Sequence, residues 1–403
     1  MRFRIIPIVI FLSLCLLAPG ASRGADPYAP ATQPAQQEVV DLSFYRPPAE
    51  GTPYPTMAGN NVRSVILMIG DGMGLTQVTA ARIKSVGPDG RLYIDRMPVT
   101  ALITTHSADW LVTDSAAAGT ALATGRKTNN AMLSMAPDET ALQTTLEAAQ
   151  ARNMSTGIIV TADMTDATPA AFAAHVKSRN DHPAIAHQLL QARINVLLGG
   201  GRALFAPKPA EGSTKPDQGD LLKQAKQIGY DLVNSREELL AARGKYVLGL
   251  FQLGNLTTHP PEPALAEMTA KGIALLSRGD AAFFLMVEGS LIDGSCHGND
   301  AMEAIRQTLL FDMAVGEALT FAQRDQRTLV VVTGDHETGG MAINDGTLDA
   351  RNLVIAWTTK GHTGTAVPLY AFGPGAATFT GLHDNTDIPK MISHLLKVET
   401  NEH

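Results

Sequence analysis

The chain has 403 residues, 45% of them hydrophobic and 5% aromatic, which is enough apolar side chain for a large core in one big α/β domain or two smaller ones. Its formal charge at neutral pH is −7. A mildly acidic chain offers no electrostatic footprint for nucleic acid or for an anionic membrane.

Met1 to Gly24 reads as a secretory signal: Arg2 and Arg4 form a basic start, Ile5 to Leu17 is an apolar run interrupted by Pro7, and Ser22 and Gly24 are the small residues before Ala25. The run is short for a bilayer span, so cleavage is expected and the product is periplasmic or secreted. The signal carries three arginines and no acid, so its removal takes the formal charge from −7 to −10. Cys296 then remains alone, so no intramolecular disulfide forms. No later segment is long and apolar enough to span a membrane.

Residues 25–61 are rich in Pro, Ala and Gln, with Arg46-Pro47-Pro48 and Pro53-Tyr54-Pro55, and read as an extended arm or linker rather than a core element. Residues 62–398 then read as a single α/β domain. Val65–Ile69 is a continuous apolar strand that runs into Gly70-Asp71-Gly72-Met73-Gly74, with a helix over Leu75–Val86. A small-residue helix starts at Ser115, and Leu142–Ala151 is helical. Strands follow at Thr156–Val160 and Asn195–Leu198, then a polar surface loop over Lys208–Asp220. Leu221–Gly254 mixes helix with short strand. Helices over Pro263–Ser277, Ala301–Arg324 and Asp387–Leu396 alternate with strands at Phe283–Val287, Thr328–Val332 and Val367–Phe372. Buried strands alternating with helices predict an α/β fold with a mostly parallel sheet, which binds ligands beyond the carboxyl ends of its strands. Asp71, Glu288, Asp335 and His336 all stand at such ends.

Thr113-Asp114-Ser115-Ala116 places a hydroxyl at a helix start, where free backbone N–H groups suit an anion. A serine needs a base or a metal to become a nucleophile, and no base stands nearby in sequence. The glycine turn around Asp71 lacks the G-x-G-x-x-G spacing and puts a carboxylate where a pyrophosphate would lie, which leaves a tight turn with an Asp N-cap or a metal ligand. Glu288 to His297 brings Glu288, Asp293 and His297 within ten residues after a strand. Asp335-His336 follows another strand, and His362 precedes the last. Three histidines and four acids suffice for two or three cations, and burying such charges without a cation would be costly. Asp166 and Thr168-Pro169 open a further helix, as caps or as ligands, and the Arg179 guanidinium fork can hold two oxygens of a phosphate.

In this order, from Val65 to about Asp387, these motifs resemble those of the alkaline phosphatases. The resemblance implies a three-layer αβα sandwich with a large, mostly parallel central sheet and hydrolysis of small phosphate monoesters through a phosphoserine. Ser115 matches the nucleophile and Arg179 the phosphate clamp. Asp293, His297 and His362 match the ligands of one Zn2+; Asp71, Asp335 and His336 match those of a second. Asp71, Thr168 and Glu288 match the ligands of a third ion, Mg2+. Asp166 matches a residue just outside that ion's ligands, and Asp114 is expected to orient Arg179 and shape its loop. Two departures stand out. Gly294 lies where familiar members carry Lys, His or Trp near the phosphate. Only 25 residues separate His336 from His362, so the crown insertion that contributes to the family's homodimer interface is reduced. A phosphodiesterase of the same superfamily would carry Thr as nucleophile and lack the third ion's ligands, whereas Ser115, Thr168 and Glu288 favour a monoesterase. Ser115 together with Arg179 argues against a non-catalytic metal or phosphate scavenger.

Overall fold

Continuous apolar runs, each too short to cover a helix face, become strands buried on both sides. The computed structural model describes residues 41–49, 52–207, 219–350 and 352–398, all within one compact unit. The signal reading, the first part of the arm and residues 208–218 of the polar loop lie outside the described residues.

In chain order the strands are β1 (Ser64–Gly70), β2 (Val99–Thr104), β3 (Ser155–Asp163), β4 (Val196–Gly200), β5 (Asp231–Val233), β6 (Val247–Leu250), β7 (Phe283–Gly289), β8 (Thr328–Gly334), β9 (Glu337–Thr338), β10 (Met341–Gly346), β11 (Leu353–Trp357), β12 (His362–Thr363), β13 (Val367–Phe372) and β14 (Gly381–Asp384). Among the described residues ten of them form one sheet in the order β14-β2-β13-β8-β1-β7-β3-β4-β6-β5. All neighbours are parallel except β13, which runs antiparallel to β8 and β2. The mostly parallel α/β expectation holds.

Every residue of β1 is buried, and its side chains alternate between two cores. Ile66 and Met68 pack with the helices Leu75–Val86, Leu265–Leu276 and Ala301–Asp325. Val65, Leu67 and Ile69 pack with Ser115–Thr124, Ala167–Ala171, His182–Gln191 and Asp387–Leu396. These are the three layers. A fully buried Leu or Ile contributes about 1.5–3 kcal/mol, so the centre of the sheet is the most firmly held part of the chain.

Several boundaries differ from the sequence reading. The helix expected from Leu142 begins at Thr145, because Thr144 and Glu147 form a reciprocal capping box. The helix after Asp71 has Gly74 at its N-cap with no side-chain bond, so Asp71 is not a cap. Asp293 and His297 lie on a short helix, Leu291–His297. The arm is not wholly peripheral: Tyr45 and Tyr54 are buried, and the Tyr45 hydroxyl donates to Asp312 Oδ2 at 2.6 Å. Where the crown would be, β10 and β11 form a small hairpin with Leu348 exposed near its tip. No helix among the described residues is long and apolar enough to cross a membrane.

One ion pair fastens the segment that carries Asp166, Thr168 and Arg179. His175 sits between Ser134 O (2.8 Å from Nδ1) and Glu147 Oε1 (2.9 Å from Nε2). Only the imidazolium donates to both acceptors, and the bond to Glu147 raises the His175 pKa above its usual value. A raised histidine pKa stabilises the fold fully below the unfolded value of about 6.5 and loses that contribution as pH climbs through the folded value. Glu147→Gln is therefore expected to move the His175 NMR titration back down. It should also lower the denaturant midpoint more at about pH 6 than at about pH 9. Equal losses at both pH values would contradict this.

Candidate active site

Ser115 is the first residue of its helix, capped by Asp114, whose Oδ1 accepts from Ala117 N at 2.9 Å. A run of small residues lets this helix press against Ala167–Ala171: a Cβ at Gly119 would come within 3.2 Å of Ala171 Cβ and 3.3 Å of Thr168 Cα. The other Asp114 oxygen accepts from Ala131 N (3.0 Å) and Arg179 Nη1 (3.2 Å), while Arg179 Nη2 lies 3.2 Å from Asp166 Oδ1. The guanidinium is thus held from two sides. Asp166 also caps the helix that carries Thr168.

A partner for the Ser115 hydroxyl comes from across the sheet. Ser115 Oγ is 3.2 Å from His336 Nε2, although 221 positions separate the two residues. Asp335 Oδ2 lies 3.1 Å and Asp71 Oδ1 3.5 Å from the same nitrogen. These residues follow the adjacent parallel strands β8 and β1, paired Gly334 to Gly70. Gly72 allows the approach: its φ is +70°, and a Cβ there would lie 2.9 Å from Asp293 Cα.

A second group lies beside the first. Asp293 and His297 are one helical turn apart, with His297 Nε2 3.1 Å from Asp293 Oδ2. His362 Nε2 is 3.5 Å from Asp293 Oδ1 and 3.2 Å from His297 Nε2. The His336 and His362 rings stack with centroids 3.6 Å apart. Ligand atoms of Asp293, His297 and His362 all fall within 4.8 Å of one another, as do those of Asp71, Asp293 and His336. Asp293 adjoins both groups, whereas the sequence reading gave it to one.

The donor chemistry fits cations. His362 Nδ1 donates to Thr113 O at 2.8 Å and His297 Nδ1 to Lys360 O, which leaves the two Nε2 atoms facing each other beside a carboxylate, with a proton on one of them when no cation lies between. Thr338 Oγ1 donates to Asp293 Oδ1 and accepts from His336 Nδ1 at 3.2 Å, so the His336 Nε2 lone pair faces the two carboxylates. Asp71 Oδ1 and Asp335 Oδ2 are buried without a hydrogen-bond donor. Lone pairs converging from every side call for a positive charge at the centre. The titration directions agree. Burial, reinforced by Asp335, pushes Asp71 well above the usual carboxylate range, and burial pushes Asp335 up to about 7. Burial, with His362 beside it, holds His336 well below an ordinary histidine. In the second group the bond to Asp293 pushes His297 up to about 9.

Glu288, at the end of β7, is buried, accepts from Ser290 Oγ at 2.7 Å and is pushed up to about 8 by burial, then by Asp166. Thr168 Oγ1 influences Glu288 but is buried without a hydrogen bond of normal geometry. Gly294 faces open space, with nothing within 4 Å of a Cβ built on it. Buried Cys296 has its thiol pushed up to about 12 by burial, and so stays protonated. Thr338, Asn130, which accepts from Asp114 N at 3.0 Å, and the carbonyls of Thr113 and Lys360 were not singled out from sequence.

The family model described as alkaline phosphatase matches residues 62–350 and 349–398. The chain is 35% identical to the alkaline phosphatase of Escherichia coli (strain K12), over 83% of this chain and 86% of that protein. It is 37% identical to streptomycin-6-phosphate phosphatase of Streptomyces griseus, over 85% of this chain and 92% of that protein. Among solved structures, the alkaline phosphatase of the Antarctic bacterium TAB5 superposes with a TM-score of 0.77 at 31% identity, covering 84% of this chain and 99% of that one. A variant of the TAB5 enzyme with Mg bound in its M3 site matches with a TM-score of 0.75 at 32% identity, with the same coverage. The chain is a phosphoric monoester hydrolase. It belongs to the alkaline phosphatase family.

Proposed function

We propose that this protein is an exported alkaline phosphatase that hydrolyses small phosphate monoesters through a phosphoserine at Ser115, with two zinc ions and one magnesium ion. One observation carries the reading: Ser115 Oγ lies 3.2 Å from His336 Nε2, the nitrogen that the undonated oxygens of Asp71 and Asp335 also face. Asp71, Asp335 and His336 would hold the ion beside Ser115, and Asp293, His297 and His362 the other; imidazole with carboxylate suits zinc. Asp71, Thr168 and Glu288 offer oxygen alone, which suits magnesium, the ion held in the M3 site of the TAB5 variant. Bound ions supply positive charge that lowers the pKa of hydroxyl and water and stabilises a leaving alkoxide. The chain's own part is placement. The Arg179 fork and the open amides at the start of the Ser115 helix take the phosphate oxygens. Ser115 Oγ bonds to phosphorus as the ester P–O bond breaks and the alcohol departs; water then cleaves the phosphoserine and releases phosphate. The signal pattern over Met1 to Gly24 supports export.

Dialysis against a chelator is expected to abolish turnover of p-nitrophenyl phosphate, and zinc with magnesium should restore it. Metal analysis of the restored enzyme should find both elements bound. Undiminished turnover by a protein shown to be metal-free would overturn the reading.

A further inference from the structure

Glu337 follows His336 and is buried, yet none of the roles above uses it. Its carboxylate accepts four hydrogen bonds: Oε1 from Gln77 Nε2 (2.9 Å) and Met341 N (3.1 Å), Oε2 from Gly340 N (3.1 Å) and Thr363 Oγ1. All four donors are uncharged, and they fill the acceptor capacity of a carboxylate. They also come from three separate places. Gln77 sits in the first turn of the helix after Asp71 and donates as well to Thr338 O at 2.9 Å. Gly340 lies in the turn after β9 and Met341 begins β10. Thr363 is next to His362 on β12.

The last connection matters most. β9 and β12 are two residues long and pair with Thr363 opposite Glu337 and His362 opposite Thr338. So short a ladder has little backbone bonding to hold its register, and a one-residue slip would turn His362 to the opposite face. The Thr363-to-Glu337 bond crosses this ladder, while Gln77 joins it to the Asp71 segment. We propose that Glu337 is a positioning residue: its carboxylate ties the His336, His362 and Asp71 segments together and so sets the spacing between the two cation positions. The proposal rests on the metal reading above. With its acceptor positions filled by these four donors, Glu337 acts through Thr363 and Gln77 rather than on an ion or substrate directly.

Two substitutions test it. Glu337→Gln keeps the shape, but whichever way the amide turns, its NH2 faces a backbone N–H donor. Thr363→Val removes the bond across the ladder and leaves the other three. Zinc-loaded wild-type and variant enzymes are mixed with a chromophoric chelator and the release of zinc is followed, alongside melting temperature and turnover of p-nitrophenyl phosphate with and without excess zinc chloride. Both variants are expected to release zinc roughly 10–100-fold faster and to recover turnover when zinc is added in excess. The double variant should be little worse than Glu337→Gln alone, because both substitutions break one connection. Zinc release at the wild-type rate from Thr363→Val, with or without a lower melting temperature, overturns the positioning role, and this variant decides the matter if Glu337→Gln does not fold. Wild-type enzyme that binds no zinc would overturn the metal reading as well, whereas zinc-dependent wild-type enzyme with unaltered variants overturns only the role of Glu337.

Discussion

Ser115→Ala is expected to lower kcat for p-nitrophenyl phosphate by roughly 10⁴-fold, equivalent to about 5.4 kcal/mol of transition-state stabilisation at 1.36 kcal/mol per decade. The loss should be nearly pure chemistry. The Ser115 hydroxyl is buried with His336 Nε2 as its hydrogen-bond partner, and alanine is well suited to the first turn of a helix. The Asp114 cap bonds to Ala117 N, which the substitution does not touch. Melting temperature and bound zinc should therefore stay close to wild type while turnover disappears. The check is turnover measured beside metal content on the same preparation; full activity would remove Ser115 from the nucleophile role.

Asp335→Asn is expected to cut kcat/KM roughly 10³-fold, about 4 kcal/mol, and yet raise the melting temperature of the metal-free protein. Asp335 Oδ1 accepts from Gly72 N (3.0 Å) and His336 N (2.8 Å), and an asparagine oxygen preserves both bonds. Its Oδ2, buried without a donor, lies 3.1 Å from His336 Nε2. An amide NH2 at that place would donate to the histidine lone pair. It would also remove a buried carboxylate from beside Asp71. The substitution thus satisfies the site without an ion and removes the reason to bind one, a trade of function for stability. Each kcal/mol relieved should raise the melting temperature by about 2–4 °C or less in a chain of this size. Zinc content by elemental analysis and melting curves in chelator test both halves. Retained zinc, or a lower metal-free melting temperature, would contradict the geometry.

The reduced crown gives the rim of this site its own character. Among the described residues from His336 to His362 the chain makes the β9–β12 pair and one small hairpin. Gly294 leaves open space on the helix that carries Asp293 and His297. Together they leave the acids and histidines of the site braced by short-range hydrogen bonds, among them Thr363 to Glu337 and Thr338 to Asp293.

The chemistry-bearing residues were legible from sequence because acids and histidines at the carboxyl ends of buried apolar strands have few reasons to be there other than a ligand. Strand and helix periodicity placed β1, β7 and β8 and the helices Leu75–Val86 and Asp387–Leu396 within a residue or two, since long buried runs leave little freedom. β2 escaped notice because its outward-facing positions alternate with buried ones and no glycine turn marks its end. What tertiary structure alone decided is which distant residues meet. That Asp293 adjoins both groups, that His336 rather than any residue near Ser115 stands beside its hydroxyl, and that Thr338 sets the His336 tautomer all depend on strand order and register. Sequence spacing carries no record of that order, because parallel neighbours such as β1 and β8 are joined through hundreds of intervening residues. The kinds of residue in the site are therefore written locally, whereas their grouping around a shared centre is a property of the sheet.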